Sequence, residues 1–241
     1  VHVEDMWLNP VLYSDNESGR LEATIRVSAV ANKKVNARII MKDIAGCEVV
    51  NSKIDLEEKD DYLTGFVSTD IKNVNKWDNH SPYLYKTFIE ITDEDGVLLE
   101  VVPYKVGFRR IEIIDKVMYL NGERLVIVGV NRHEWNPKTG RCINIDDMIS
   151  DMNCMKRNNI NAVRTCHYPD QIPWYYMCDE AGVYVMAETN LESHGSWQKL
   201  GAVEPSCNVP GSLPQWREVV VDRARSNYET FKNHTSILFW S

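Results

Sequence analysis

The sequence predicts two folds in tandem: a β-sandwich of immunoglobulin type over residues 1–108, then a β/α region of (β/α)8-barrel type over residues 109–241. Three observations carry this. Apolar residues recur at every second position in the first part. In the second part short apolar runs alternate with segments of helical spacing. Each of those runs opens into a polar cluster at its carboxyl end, where barrel enzymes place their active sites.

In the first part, Leu21-Glu22-Ala23-Thr24-Ile25-Arg26-Val27 alternates strictly, as a half-buried strand requires because successive side chains point to opposite faces. Val1-His2-Val3 already reads as strand. Similar runs follow at Val35–Ile44, Glu48–Leu56, Tyr62–Ile71, Pro82–Thr92 and Val97–Val106. Ala45-Gly46, Asp60-Asp61 and Asp93-Glu94-Asp95-Gly96 supply the turns between them. Six or seven short strands with such spacing predict an antiparallel sandwich, a domain that usually supports or binds rather than catalyses.

In the second part, Asn121-Gly122 between β-prone flanks predicts a hairpin. Leu125–Val130 is an unbroken apolar run, expected to be a strand buried on both faces. Ile145, Met148, Ile149, Met152 and Met155 follow helical spacing, with Asn144 and Asp147 placed to cap the helix start. Ile160–Val163 reads as the second strand. Asp170 is expected to cap a second helix that ends near Gly182, and Val183–Met186 is the third strand. Ser212 and Gln215 form a capping pair ahead of a long helix whose apolar face is Trp216, Val220, Ala224, Tyr228 and Phe231. Ile237–Trp240 is the fourth strand. Four β–α steps fit a (β/α)8 barrel or a doubly wound sheet, and the polar clusters at the strand ends favour the barrel.

Composition narrows the function classes. The formal net charge is −8 and no basic run occurs, which argues against a nucleic-acid or anionic-membrane partner. No GxGxxG or GKS/T loop appears at a strand–helix turn, which argues against nucleotide binding. No apolar run approaches the ~20 residues of a membrane span. The six cysteines, Cys47, Cys142, Cys154, Cys166, Cys178 and Cys207, form no CxxC pair and read as free thiols of a cytoplasmic protein.

The clusters after the first three strands also form an ordered set of motifs. Gly129-Val130-Asn131-Arg132-His133-Glu134, Val163-Arg164-Thr165-Cys166-His167-Tyr168-Pro169 and Asn190-Leu191-Glu192-Ser193-His194-Gly195 together closely resemble the β-galactosidases of glycoside hydrolase family 2. The tail Asn233-His234-Thr235-Ser236-Ile237-Leu238-Phe239-Trp240-Ser241 resembles the family segment that leads into the acid/base Glu. The resemblance reaches back through Gly107-Phe108-Arg109 and Trp77…Pro82-Tyr83-Leu84-Tyr85.

The resemblance implies hydrolysis of terminal β-D-galactosides, such as lactose, by a retaining mechanism with two Glu residues ~5–5.5 Å apart. Both would lie beyond Ser241, so the chain reads as a fragment holding the first half of the barrel, with no catalytic carboxylate and no activity alone. The resemblance further implies that His133 and His167 hydrogen-bond sugar hydroxyls, although from position alone each could be a structural His held by a carboxylate. It implies that Arg164 pairs with the nucleophile Glu and keeps it ionised; without a family reading, it would pair with some barrel carboxylate. Glu188 and Asn190 would lie near the substrate or support the loop. Glu192 and His194 would ligate Mg2+, weakly or not at all without the third ligand, and the family admits Na+ as a further cation. Cys166 stands where relatives often have Ser and reads as a small barrel-mouth residue rather than a nucleophile. Trp135, Trp174 and Trp197 are sugar-platform candidates, with core packing the alternative.

Two rival readings remain: a β-glucuronidase or β-mannosidase of the same family, which would lack the Glu192-x-His194 pair, and a non-catalytic carbohydrate-binding module. The expected partners are the sugar, the rest of the barrel and further copies in a homo-oligomer. Strands one and four would otherwise leave unpaired edges.

Overall fold

The computed structural model describes residues 1–28, 34–192 and 213–241. They fall into two compact units, residues 1–126 with 179–182, and residues 127–178 with 183–241.

The two main sheets of the first unit are built from β1 (His2–Leu12), β2 (Ser18–Ser28), β3 (Val35–Lys42), β4 (Glu48–Ile54), β5 (Leu56–Lys59), β6 (Tyr62–Lys72), β7 (Tyr85–Asp93) and β8 (Leu98–Val106). They form two antiparallel sheets, β1-β2-β6-β5 and β4-β3-β7-β8. The alternation in β2 does what its period requires: Leu21, Ala23, Ile25 and Val27 are buried. They meet Ile39, Met41, Ile89, Ile91 and Val106 of the other sheet in one core. The turn residues also act as expected. Gly46 and Gly96 take positive φ, and the Asp93 carboxylate accepts from the amides of Asp95 and Val97.

One predicted strand divides. The run 48–56 breaks at Asp55, so that β4 pairs with β3 in one sheet while β5 pairs with β6 in the other. Gly65 of β6 makes this crossing possible. A Cβ there would stand 2.6 Å from Ile54 Cγ2 and 2.8 Å from the Asp55 carbonyl oxygen, closer than any side chain tolerates.

By compactness, residues 109–126 cluster with the first unit. β9 (Ile111–Ile114), β10 (Val117–Leu120) and β11 (Glu123–Arg124) form a small antiparallel sheet. Asn121 and Gly122, at φ 54° and 82°, make the predicted turn between β10 and β11. The change of sequence period near residue 109 therefore precedes the boundary between compact units, which falls at 126.

The second unit is built from β12 (Gly129–Arg132), α1 (Ile145–Arg157), β13 (Ala162–Thr165), α2 (Ile172–Ala181), β14 (Tyr184–Ala187), α3 (Trp216–Phe231) and β15 (Ile237–Trp240). The four strands are parallel and lie in chain order. A doubly wound sheet reverses its order at a switch point; among the described residues no reversal occurs, so the sheet is a segment of barrel wall.

The helices confirm local signals and correct longer-range ones. Asn144 and Asp147 make the reciprocal capping box of α1, each side chain accepting from the other's amide at 3.0 Å. Met148, Met152 and Met155 are buried, whereas Ile145 and Ile149 are exposed. Gly182, at positive φ, follows the end of α2, and the Val183 amide donates back to the Cys178 carbonyl. Asp170 does not cap α2: one carboxylate oxygen accepts from Arg132 and the other has no hydrogen-bond partner. On α3, Gln215 makes no side-chain cap, and Ser212 lies outside the described residues. The buried residues of α3 are Asn227 and Phe231, while Ala224 and Tyr228 are exposed. Burial is confined to one side of the predicted face, where Phe231 stacks on Tyr175 with ring centroids 3.9 Å apart and Asn227 donates to the Ala187 carbonyl.

The first strand departs most from expectation. Val126, Ile127 and Val128 are 62%, 46% and 50% exposed rather than buried on both faces. In a closed barrel the inner face is covered by side chains from the other strands. Four strands make an open sheet, with β12 and β15 at its edges. Its inner face is a groove of about 270 Å3 whose lining includes Ile127, Val130, Val163, Val185 and Phe239.

Candidate active site

The polar clusters of the second unit converge at the carboxyl ends of the parallel strands. β12 and β13 pair with Asn131 opposite Arg164 and Arg132 opposite Thr165, so the residues that follow, His133 and Cys166, start side by side. Burial alternates along this stretch: Arg132 and Glu134 are buried, Asn131 and His133 exposed. One side of the strand faces the helices and the other faces the open mouth.

On the mouth side, Glu188 joins two of the predicted residues. Its Oε1 lies 2.8 Å from His167 Nδ1, and its Oε2 lies 2.6 Å from Arg164 Nε. The Arg164 contact is an ion pair without hydrogen-bond alignment. The Glu188 amide donates to Thr165 Oγ1, which fixes the start of the loop after β14. Arg164 Nη2 also stands 3.0 Å from His167 Nδ1. One ring nitrogen cannot both accept from a guanidinium and donate to a carboxylate, so His167 bonds one partner at a time while Glu188 contacts both side chains. Arg164 Nη1 donates to Asn131 Oδ1 at 3.4 Å.

His133 is exposed. Its Nδ1 lies 3.3 Å from the Tyr168 hydroxyl, and its ring packs edge-on against His167 with centroids 5.5 Å apart. The two imidazoles thus share one corner of the mouth. Glu192 Oε2 lies 3.9 Å from His167 Nε2. Asn190 is exposed, and its carbonyl accepts from Arg223. His194, Trp197 and Cys207 lie outside the described residues. Of the expected Mg2+ ligands, the described one is Glu192, whose side chain is 38% exposed.

Cys166 is buried. Its thiol donates to the Arg132 carbonyl at 3.3 Å, and burial raises its pKa. A buried, protonated thiol is a poor nucleophile. Trp174 is fully buried and so is no sugar platform, whereas Trp135 is 64% exposed.

Behind the mouth lies a network that the sequence reading passed over. Arg132 donates to Asp170 Oδ2 at 2.6 Å and to Asp151 Oδ2 at 3.0 Å, with Glu134 Oε1 at 3.6 Å. Its guanidinium stacks on Trp174, 3.8 Å from the ring centroid. Burial outweighs the guanidinium and pushes Asp170 up to about 7. Glu134 accepts from the Gln171 amide. The available signal was the alternation itself, which sends Arg132 and Glu134 away from Asn131 and His133. Because Arg132 lies between Asn131 and His133 in sequence, this network holds in place the strand that carries both.

Residues 111–241 match the family described as "Glycosyl hydrolases family 2, TIM barrel domain", and residues 1–109 match "Glycosyl hydrolases family 2". Over its whole length the chain is 54% identical to the "Beta-galactosidase large subunit" of Lactobacillus acidophilus and 47% identical to the "Beta-galactosidase" of Halalkalibacterium halodurans. It spans 37% and 23% of those proteins. Among solved structures, a Bifidobacterium dentium beta-glucuronidase complexed with coumarin-3-O-glucuronide aligns over the whole chain with a TM-score of 0.85, at 20% identity and over 37% of its own chain. At that identity the likeness is one of fold.

Proposed function

The chain belongs to family 2 of the glycosyl hydrolases, and from that premise we propose that it contributes the first wall of the active site of a retaining β-galactosidase. The observation that carries this is the convergence of His133, His167, Arg164, Glu188 and Glu192 at the carboxyl ends of successive parallel strands. Identity of about half to proteins named beta-galactosidase supports this branch over the β-glucuronidases, whose likeness is one of fold.

In this reading His133 and His167 hydrogen-bond hydroxyls of a terminal galactose, bonds that strengthen as the sugar flattens toward the oxocarbenium-like transition state. Glu188 holds His167 and Arg164 in position before the sugar arrives, so that less ordering is required on binding. The acid/base and the nucleophile are proposed to be two Glu residues outside these 241. Glu192 and His194 are proposed as ligands of a Mg2+ ion, which when bound supplies positive charge and ordered water beside the sugar.

The five described cysteines are free thiols, and no described helix is long and apolar enough to cross a membrane. The free thiols support the proposed placement in the cytoplasm. For assembly we propose a homo-oligomer. The words "large subunit" in the Lactobacillus relative's name make a smaller second chain the rival, and the native mass separates the two.

The test is hydrolysis of a chromogenic β-galactoside by the chain alone, and by the chain mixed with the remainder of the barrel. Activity on mixing alone supports the proposal, and so does preference for the β-galactoside over the matching β-glucuronide. Activity of the purified chain by itself would overturn the placement of both catalytic carboxylates.

A further inference from the structure

We infer that His133, Cys166 and His167 form a binding site for a borderline or soft divalent metal ion of the zinc type, distinct in chemistry from the hard-cation site proposed at Glu192. One imidazole or thiol atom from each residue lies within 4.8 Å of the other two. Ligand atoms around a tetrahedral zinc ion stand about 3.5 Å apart, given bonds of about 2.0–2.3 Å. Modest side-chain rotations close that difference.

The frame that carries these ligands is stiff. His133 follows β12 and Cys166 follows β13, two strands hydrogen-bonded in parallel register up to Arg132 and Thr165. The amide and the thiol of Cys166 both approach the Arg132 carbonyl, at 3.0 and 3.3 Å, so the sulfur sits against the strand that leads into His133. Each imidazole has an outer partner of the kind that orients metal-bound histidines: Glu188 for His167, and the Tyr168 hydroxyl for His133.

One sulfur and two nitrogens select zinc, cobalt or copper over Mg2+ or Ca2+, which prefer oxygen. His133 is exposed and the His167 side chain is one-third exposed, so a water can take the fourth position. On coordination the Cys166 thiol releases its proton to solvent. The thiolate, with Glu188 and Glu192 nearby, offsets the charge of the ion beside Arg164. On the function proposed above, such an ion occupies both sugar-binding imidazoles and excludes the galactoside.

The experiment titrates Co2+ into the full-length protein carrying this sequence and into its Cys166→Ser and His167→Ala variants. Serine retains a donor for the Arg132 carbonyl, and circular dichroism checks that each variant is folded. The wild type is expected to develop a thiolate-to-cobalt charge-transfer band in the near ultraviolet that Zn2+ displaces. The band is expected to be lost, or shifted to at least ~100-fold higher Co2+, in both variants. A band unchanged in Cys166→Ser, or no difference between wild type and variants at millimolar Co2+, overturns the site. The second readout is inhibition of β-galactoside hydrolysis by Zn2+, expected to need at least tenfold more ion in Cys166→Ser; equal inhibition counts against the site. Absence of hydrolysis in every protein refutes the proposed function and leaves the cobalt band to decide the metal site.

Discussion

Replacing Arg132 with Met removes the cation from beside a carboxyl that the fold has already taken out of water. The Arg132 side chain is 5% exposed, and that of Asp170 is fully buried. In the wild type, burial and the guanidinium together leave Asp170 at about 7, above its unfolded value of about 3.9. The folded state therefore holds this proton more tightly. The associated stability is present at low pH and is lost as the pH rises from about 4 to about 7. Without Arg132, ionising Asp170 becomes harder and the decline continues above pH 7. At pH 8, one unit above 7, this adds at most about 1.4 kcal/mol to the loss seen at lower pH. At pH 5, Asp170 is largely protonated in both proteins. The remaining loss is stacking on Trp174 and hydrogen bonds, about 1–2 kcal/mol. Urea unfolding followed by tryptophan fluorescence at the two pH values measures both costs. The double variant Arg132→Met/Asp170→Leu is expected to lose the same amount at pH 5 and pH 8, because Asp170 is then no longer there to ionise. An equal loss at pH 5 and pH 8, or a loss below about 1 kcal/mol at pH 8, would refute this account of the network.

Three further outcomes are expected. Ile89→Ala, fully buried between the two sheets, should cost about 2–5 kcal/mol of stability in chemical denaturation of the sandwich. Asn144→Ala should cost about 1 kcal/mol by removing the α1 capping box, read as reduced protection of the first-turn amides of α1 in hydrogen exchange. Glu188→Gln removes the charge that holds Arg164 and His167 together. It should lower kcat/KM of the full-length enzyme on a chromogenic β-galactoside by about 10–100-fold, which is about 1.4–2.7 kcal/mol; an unchanged kcat/KM would show that the clamp does not position the site.

Much of the fold was legible because it is written at short range. The alternation in β2, the turn at Asn121-Gly122, the capping box at Asn144-Asp147 and the succession of strands and helices after residue 126 each depend on a backbone period or on residues three or four positions apart. The polar clusters were legible for the same reason, since a strand that ends at a barrel mouth changes from apolar to polar in one step. The brief polar stretch was nonetheless placed outside the strands, whereas Asn131, Arg132, Arg164 and Thr165 lie within β12 and β13.

What the tertiary structure alone decided is which groups meet across long stretches of chain. Arg132 and Asp170 are 38 residues apart, and His167 and Glu188 are 21 apart. Asp170 in particular carries the local signature of a helix cap and instead accepts from a buried arginine, because a buried cation is far more costly to leave without a partner than a helix amide at the surface. The crossing of the chain between sheets at Asp55, the stacking of Phe231 on Tyr175 and the exposure of Val126–Val128 follow the same logic. By itself the sequence determined the periods, the turns and the kinds of side chain at each strand end. Only the packed structure decided the partners, because burial and pairing energies depend on what the rest of the fold brings alongside.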